Sequence, residues 1–192
     1  MSLRHRLVSI ILYPYFSTTF SNKGVEIFKS PCLLCKLIIM KAENATYQQI
    51  EVIVRAVVLH NDKILLCREK NKNNYFFPGG HVEFKEDAAT ALKREIKEET
   101  DADMVKADFI GVLENRFWQE GTEKHEINIV FYIQLASPDI KDMEDHIECR
   151  WLPLGELKQG SVLPVLLKEK VLQWIESKQT FFGSEKDDMR IV

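Results

Sequence analysis

The amino-acid sequence predicts an α/β domain in which helices pack on the faces of a mixed β-sheet. Two observations support this class. Segments rich in β-branched residues alternate along the chain with two helical segments that contain no glycine. The 192 residues are 45% hydrophobic and 29% charged, which is the composition of an ordinary globular protein. Collagen-like, low-complexity and wholly disordered proteins are therefore excluded.

The first half of the domain is predicted to contain a strand pair followed by a helix. Residues 50–59 are β-branched and partly alternating, which indicates a strand. Residues 61–63, Asn-Asp-Lys, predict a turn, after which residues 64–68 return as a second strand. Residues 87–100 contain strong helix formers and neither glycine nor proline, so they predict one helix.

The second half is predicted to add strands and one more helix. The strands are expected at residues 109–118, 126–136 and 149–152, with a turn at 119–124. Residues 163–177 place apolar side chains at helical spacing and tolerate Pro164 in the first turn. The acidic run at residues 139–148 predicts a solvated loop. We expect the residues after Lys178 to form a loose tail.

The first 39 residues differ in composition from the rest of the chain. They carry a net charge of +4, whereas residues 40–192 carry −7. Their apolar stretches, at residues 7–16 and 32–40, are shorter than the ~20 residues that a membrane span needs. We therefore divide the chain into an N-terminal extension at 1–39, a domain at 40–178 and a C-terminal tail at 179–192.

The extension has features of two kinds of targeting segment. Arg4 and Arg6 precede an apolar stretch as in a signal peptide, although no clear cleavage site follows, and the acid-poor start also fits an organelle transit peptide. We favour a start-site extension before Met40, and we expect a cytoplasmic protein. Cys32 and Cys35 have CxxC spacing, but no second pair or neighbouring histidine completes a zinc site. We interpret them as apolar thiols.

The predicted helix at residues 87–100 carries carboxylates on the stripe that normally faces the core. At roughly 100° per residue, Glu95, Glu98 and Glu99 converge on one patch. Like charges at this spacing repel, and a hard divalent cation such as Mg²⁺ removes the repulsion because it prefers carboxylate oxygens. Arg94 lies one turn from Glu98 and can pair with a carboxylate. The alternative interpretation is a solvated acidic face.

A pair of glycines precedes this helix at a fixed distance. Gly79 and Gly80 would let the backbone approach a ligand or metal closely, where a side chain would obstruct it. From Gly80 through Glu86 to Glu99 the sequence reads G-x5-E-x7-R-E-U-x-E-E, where U is apolar. Six such matches at fixed spacing arise by chance about once in 10⁷ starting positions. This spacing resembles the Nudix box, and the likeness to the Nudix hydrolase family covers about residues 50–178.

The resemblance implies a fold, a reaction and a metal site. The fold would be a Nudix-type α/β/α sandwich, and the reaction the hydrolysis of a nucleoside diphosphate linked to another group, X. Mg²⁺, or Mn²⁺ in its place, would be the cofactor. Its ligands would be Glu95, Glu98, Glu99 and the carbonyl oxygen of Gly79. Arg94 would orient the glutamates, and Glu86 would contribute through a salt bridge or an outer contact.

Two positions depart from the pattern of the family. Asp101 stands where a glycine usually closes the box. Aspartate is among the few other residues that tolerate the left-handed conformation of a helix end, so we expect only a small loss of local stability. Lys85 replaces a glycine that is frequent before the first box glutamate, which puts only the shape of that loop in doubt.

The general base and the substrate contacts have more than one candidate. Members of the family differ in the base, and we take Glu95 as the first candidate and Glu126, on a later strand, as the second. Phe117 and Trp118 could each stack on a nucleobase, but at alternating strand positions one of them belongs to the core. We take Phe117 as the substrate contact, together with Gly80.

Two other functions stay open at this point. A non-catalytic Nudix module for nucleotide binding or regulation should lack at least one metal carboxylate, and here all are present. An RNA 5′-end pyrophosphohydrolase would favour a basic groove, against which the charge of −7 argues. We therefore expect a small nucleotide substrate with X unidentified, no membrane or nucleic-acid partner, and an oligomeric state compatible with a homodimer.

Overall fold

The computed structural model describes residues 49–119 and 121–186, so the predicted extension at 1–39 with its CxxC motif lies outside the described residues. The helices are Ala88–Thr100 (α1), Leu154–Gln159 (α2) and Val165–Ser177 (α3). The strands are Ile50–His60 (β1), Lys63–Glu69 (β2), Tyr75–Phe76 (β3), Met104–Gln119 (β4), Thr122–Leu135 (β5), Ile147–Pro153 (β6), Val162–Leu163 (β7) and Phe181–Lys186 (β8). None of these helices is long and apolar enough to cross a membrane.

The strands form a mixed sheet with two halves that meet at the β1–β2 hairpin. In one half, β5 lies between β1, to which it is parallel, and β4, to which it is antiparallel, and β8 runs parallel to β4. In the other half, β2 is antiparallel to both β3 and β6, and β7 pairs with β3. Strands β1 and β2 pair only at Leu59–Ile64 and His60–Lys63, beside their turn. The two halves therefore separate beyond the hairpin.

The turn between β1 and β2 has the backbone conformation that its sequence favours. Asn61 and Asp62 have φ values of 47° and 59°. Two-residue hairpin turns of type I′ need positive φ at both positions, and asparagine and aspartate tolerate it better than most side chains. The turn predicted at residues 61–63 is confirmed, and the strands on either side of it are present.

Alternation along β1 divides the core into two layers. Val54, Ala56 and Val58 are buried in a layer that also contains Ala91, Leu92 and Ile96 of α1. Val57 is buried in a second layer, which contains Leu167, Val171 and Trp174 of α3. Because successive strand residues point to opposite faces, α1 and α3 cover opposite faces of the sheet. The predicted fold class, helices on the faces of a mixed sheet, is confirmed.

The β4–β5 hairpin is longer than predicted. Strand β4 extends to Gln119 and strand β5 begins at Thr122, so residues 119 and 122–124 of the predicted turn belong to the strands. Cross-strand pairs such as Phe117 with Lys124 continue to the tip. The sequence near the tip is polar and shows no alternation of apolar residues, which is why the pattern did not predict strands there. The backbone hydrogen bonds between strands form without such alternation.

The segment predicted to be a loose tail contains β8, so that prediction was wrong for its described part. Phe181–Lys186 runs parallel to β4 and is in register with it from Gly111 to Arg116. Gly111 makes the contact feasible, since a Cβ there would lie 2.5 Å from the ring of Phe181. Strand β8 forms because β4 offers it a free edge to pair with, and the local sequence does not reveal that edge.

Helix α3 begins later than the apolar spacing predicts. Pro164 precedes its first residue, Val165, and Leu163 belongs to β7, where it pairs with Phe76. The buried face of the helix is the one expected from its spacing, with Leu167, Val171 and Trp174 in the core. A proline has no N–H to donate and is compatible with a helix start, which explains the boundary.

A disulfide joins the centres of two neighbouring strands. Cys67 on β2 and Cys149 on β6 occupy facing positions and are bonded, with 82 residues of separation along the chain. Both cysteines are buried. The cysteine count did not predict this bond, because the facing positions depend on the pairing of β2 with β6, which connects distant parts of the sequence.

We predict that reduction of this disulfide destabilises the protein. In the chain-entropy description, a cross-link that closes a loop of this length contributes about 4 kcal/mol to the free energy of unfolding. The midpoint of guanidinium unfolding should therefore fall in the presence of reductant. The variant Cys149→Ala is the control, because it should show the lower midpoint with or without reductant. Equal midpoints for oxidised and fully reduced wild type, verified by a thiol count, would contradict the prediction.

Candidate functional site

Side chains define both ends of helix α1. At the start, the carboxylate of Asp87 accepts hydrogen bonds from the backbone N–H and the hydroxyl of Thr90, at 2.9 and 3.1 Å. At the end, Asp101 adopts a left-handed φ of 55°, which confirms that aspartate replaces the usual glycine there. Ion pairs with Lys97 and Lys141 lower the pKa of Asp101 to about 2. The departure from the box pattern leaves the helix end intact.

The loop before α1 contains the other departure. Lys85 has a positive φ of 82°, a conformation that a glycine adopts without cost. The loop is closed nevertheless, because the N–H of Glu83 donates to the carboxylate of Glu86 at 2.7 Å. The substitution therefore strains one residue without opening the loop.

The carboxylates of α1 differ sharply in exposure. Glu99 is only 4% exposed, and its burial continues the core stripe of Leu92 and Ile96. The side chain of Glu95 is 16% exposed, whereas that of Glu98 is 52% exposed. The structure thus places two of the three predicted carboxylates inside the protein and the third toward solvent.

The glycine segment before α1 lies along β1. The N–H groups of Val54 and Ala56 donate to the carbonyls of Gly80 and Pro78, both at 2.8 Å. Gly79 has a φ of 129°, and a Cβ there would lie 2.1 Å from the carbonyl oxygen of Val54. Only glycine fits at this position, for conformational and for steric reasons.

Two helix carboxylates lie directly against this segment. Oε2 of Glu99 accepts a hydrogen bond from the N–H of Gly79 at 3.0 Å. A Cβ on Gly80 would lie 2.5 to 2.6 Å from the carboxylate atoms of Glu95. The absence of side chains at Gly79 and Gly80 therefore lets both carboxylates lie directly against the backbone. A set of donors made only of oxygen suits a hard divalent cation.

The buried carboxyl of Glu99 lacks a full set of compensating contacts. Burial raises its pKa to about 8, because the ionised form loses its hydration. The N–H of Gly79 and the positive charge of Arg55 oppose this shift, whereas the negative charges of Glu95 and Glu144 add to it. A cation bound beside Glu99 would reduce the cost of ionising it, so this buried carboxyl fits the role of a metal ligand.

Arg94 holds several acceptors around the start of the site. Its Nη2 donates to Glu86 at 2.8 Å and to the carbonyl of His81 at 3.0 Å. Its Nη1 donates to Glu95 at 2.7 Å and to Glu98 at 3.0 Å. The bond from Arg94 is also the main reason why the pKa of Glu86 lies below its ordinary value. This side chain therefore restricts the orientation of three carboxylates at once.

The described residues do not form a complete metal cage in this state. No three acidic, histidine or cysteine side chains among them surround a common point. Glu99 accepts from the N–H of Gly79 and Glu95 lies against Gly80, while Glu95 and Glu98 are both paired with Arg94. Of the four predicted ligands, the structure therefore places Glu95 and Glu99 against the glycine segment, while Glu98 lies toward solvent and the Gly79 carbonyl accepts from Arg55.

Glu126 lies on β5 and belongs to a polar chain that the sequence did not reveal. Its Oε2 accepts a hydrogen bond from Nδ2 of Asn128 at 3.3 Å. Oδ1 of the fully buried Asn128 accepts in turn from Nε of Arg55 on β1, at 3.2 Å. An arginine and an asparagine inside otherwise apolar strands were the available signal, since buried polar groups need partners.

The two adjacent aromatic residues near the hairpin tip lie on opposite faces of the sheet. Phe117 pairs with Lys124 and lies on the face of the sheet that carries Glu126 and Asn128. Trp118 lies on the opposite face and is 47% exposed. Phe117 is half-buried. Of the two predicted stacking residues, Phe117 is the one on the same face as Glu126.

The acidic run at 139–148 is a largely exposed loop up to residue 146, as predicted, but its backbone also contacts the end of α1. The N–H groups of Lys141 and Met143 donate to the carbonyls of Thr100 and Glu99, at 2.9 and 3.3 Å. The last carbonyls of a helix have no partner within it, which explains the attraction. The contact brings Glu144 close enough to raise the pKa of Glu99.

Comparison with known proteins agrees with the geometry of this site. The NUDIX domain family model matches residues 51–175. An ADP-ribose pyrophosphatase of Methanocaldococcus jannaschii is 32% identical to this chain over 109 residues, which are 55% of this chain and 63% of that protein. The chain therefore spans less than two thirds of the length of this relative.

Solved structures with the same fold include two MutT proteins. The one from Bacillus halodurans has a TM-score of 0.63 at 16% identity and covers 74% of this chain and 95% of its own. The one from Methanosarcina mazei Go1 has a TM-score of 0.58 at 26% identity and covers 71% and 100%. The first likeness concerns the fold alone. Because the family model matches more than half of the residues, this chain belongs to the Nudix hydrolase family.

Proposed function

We propose that this protein is a metal-dependent pyrophosphohydrolase that cleaves a phosphoanhydride bond in a nucleoside diphosphate linked to another group. The observation that carries the proposal is the contact between α1 and the glycine segment, with Glu99 on the N–H of Gly79 at 3.0 Å and Glu95 against Gly80. A pyrophosphate is itself anionic, so carboxylates at its binding site require divalent cations between the two.

The cation would be Mg²⁺, or Mn²⁺ in its place. Glu95, Glu99 and the Gly79 carbonyl would hold it, and Glu98 would join them by exchanging Arg94 for the ion. When bound, such an ion lowers the pKa of a water molecule and stabilises the negative charge that develops on the leaving phosphate. Arg94 would keep Glu95 in place, as its 2.7 Å hydrogen bond to that carboxylate suggests.

Glu95 is our first assignment for the general base. Its carboxylate is largely shielded from solvent and lies at the glycine segment, where the substrate phosphates would bind. Glu126 is the second candidate, oriented by Asn128. Each carboxylate would accept a proton from the attacking water.

The substrate class follows from the family and from one relative. ADP-ribose is the first compound to test, because the relative that is 32% identical is an ADP-ribose pyrophosphatase. Phe117 would contact the nucleotide from the face of the sheet that carries Glu126, and Gly80 would let the phosphates approach the backbone. A homodimer, a cytoplasmic location and the absence of a nucleic-acid partner remain predictions of the sequence.

We predict that Glu99→Gln abolishes hydrolysis. Glutamine keeps the size of the side chain and can still accept from the N–H of Gly79, but it removes the anionic ligand. The rate with ADP-ribose, other nucleoside diphosphate derivatives and nucleoside triphosphates should fall on the order of a hundredfold or more. Glu169→Gln, on the exposed face of α3, is the matched control and should retain activity. A wild type that is inactive on the whole panel with Mg²⁺ and with Mn²⁺ would favour a binding module.

We predict that substitution of the two base candidates lowers kcat to different extents. Glu95→Gln should lower kcat on the order of a hundredfold, whereas Glu126→Gln, whose Oε1 can still accept from Asn128, should lower it less than about tenfold. Steady-state kinetics and direct Mn²⁺ binding should be measured for both variants. If Glu126→Gln lost activity as severely and bound Mn²⁺ normally, Glu126 would be the base instead.

We predict that the protein without divalent cations loses stability as the pH rises. The folded protein keeps the Glu99 proton up to a pKa of about 8, whereas an unfolded glutamate loses it near 4.5. Between these values the folded state binds more protons, so the free energy of unfolding decreases with pH. The decrease in EDTA should be on the order of 3 kcal/mol between about pH 5 and pH 7.5, at ~1.4 kcal/mol per pKa unit.

Chemical denaturation across this pH range, with and without Mg²⁺, checks the prediction. Mg²⁺ should oppose the decrease, because it binds the deprotonated carboxylate. Glu99→Gln carries no titratable group at this position and should not show the decrease. A wild type whose stability in EDTA is flat from about pH 5 to pH 7.5 would contradict the buried, protonated carboxyl.

A further inference from the structure

We propose that Arg55 is a positioning residue, which holds the Gly79 carbonyl directly and the Glu126 carboxylate through Asn128 in the arrangement that binds the cation. This inference rests on the proposed function, since it concerns the same metal site. Arg55 lies on β1, away from the box residues in the sequence, and its role is visible only in the contacts of its side chain.

The guanidinium of Arg55 completes the attachment of the glycine segment to β1. Its Nη1 donates to the carbonyls of Phe77 and Gly79, at 3.2 and 3.3 Å. The two carbonyls in alternate positions, those of Pro78 and Gly80, accept from backbone N–H groups of β1. Four consecutive carbonyls are therefore held by one strand, and the side chain of Arg55 accounts for two of them.

The two peptide groups that flank Gly79 are consequently each held by a side chain. Its N–H donates to Glu99 at 3.0 Å, and its carbonyl accepts from Arg55 at 3.3 Å. A rotation of the Pro78–Gly79 peptide would break the first bond, and a rotation of the Gly79–Gly80 peptide would break the second. Because a carbonyl oxygen has two lone pairs, the bond from Arg55 leaves one of them for a cation.

The same guanidinium connects the glycine segment to the second candidate base. Its Nε donates to Oδ1 of Asn128 at 3.2 Å, and Nδ2 of Asn128 donates to Glu126 at 3.3 Å. Asn128 is fully buried, so these two bonds satisfy an amide that would otherwise be costly. Arg55 and Asn128 thus hold Glu126 and Gly79 in one hydrogen-bonded unit across β1 and β5.

The positive charge of Arg55 and the hydrogen bonds of its side chain have opposite effects on metal binding. Glu95, Glu99 and Glu126 are all close enough to interact with its positive charge. A cation that binds among these carboxylates is repelled by the guanidinium, so the charge alone weakens metal binding. The hydrogen bonds alone strengthen metal binding, because they place the Gly79 carbonyl and, through Asn128, the carboxylate of Glu126. The two effects therefore predict opposite changes in metal affinity for a variant that keeps the positive charge of Arg55 but loses the hydrogen bonds of its guanidinium.

Direct Mn²⁺ binding to the full chain, measured by electron paramagnetic resonance without nucleotide, tests the proposal. Arg55→Lys keeps the positive charge but cannot present the planar fork of donors. We expect it to bind Mn²⁺ about tenfold to a hundredfold more weakly than wild type, the usual range for the loss of an outer contact. Arg68→Lys on β2 is the matched control, since Arg68 pairs with Glu148 on β6, and it should bind as wild type does.

Each outcome decides one claim. Equal Mn²⁺ affinity in wild type and Arg55→Lys would overturn the positioning role, and tighter binding by Arg55→Lys would show that Arg55 acts as a competing charge only. If wild type itself bound no Mn²⁺, the proposed function would fail first, and the inference with it. A thermal melt of each variant establishes that the folded protein is being compared.

Asn128→Leu provides a second test, which is decisive if Arg55→Lys does not fold. Leucine has the same branched shape and leaves the charge of Arg55 in place, but it removes the acceptor for Nε and the donor to Glu126. We expect Mn²⁺ affinity to fall about tenfold. An affinity equal to that of wild type would overturn the positioning of the site by Arg55 through Asn128.

Discussion

The close approach of helix α1 to a backbone without side chains is the constraint on which the rest of the site depends. The N–H of Gly79 meets the carboxylate of Glu99 at 3.0 Å, and Gly80 leaves just enough room for the carboxylate of Glu95. Neither contact survives the addition of a Cβ. The apolar packing of Leu92 and Ile96 holds the helix against the sheet and so maintains this approach.

Charge balance explains why arginines surround the carboxylates. Burial makes ionisation of Glu99 unfavourable, which its raised pKa of about 8 expresses. Arg94 stabilises the carboxylates on the solvent side of the helix, and Arg55 lies on the sheet side. The protein thus carries fixed positive groups beside a set of acids that still lacks full compensation, an arrangement that a divalent cation can complete.

The sequence predicted the parts of this arrangement that depend on local spacing. Residues from Gly80 to Glu99 have a fixed pattern, so α1, its left-handed end at Asp101 and the glycine approach could be predicted from it. Strand β8, the Cys67–Cys149 bond and the roles of Arg55 and Asn128 could not be, because each depends on which strands become neighbours. The contact of the acidic loop at 139–148 could not be predicted either, since its N–H groups donate to carbonyls at the end of α1, which is distant in the sequence.

Mn²⁺ binding by Gly80→Ala tests the central claim most directly. The new Cβ would meet the flexible end of Glu95, so the fold should survive while the carboxylate is displaced. Gly155→Ala is the matched control, because a Cβ there meets no atom within 4 Å. The account predicts that Gly80→Ala binds Mn²⁺ on the order of tenfold to a hundredfold more weakly at a nearly unchanged melting temperature, and that Gly155→Ala binds normally. Wild-type Mn²⁺ affinity in Gly80→Ala would contradict the claim that this approach builds the site.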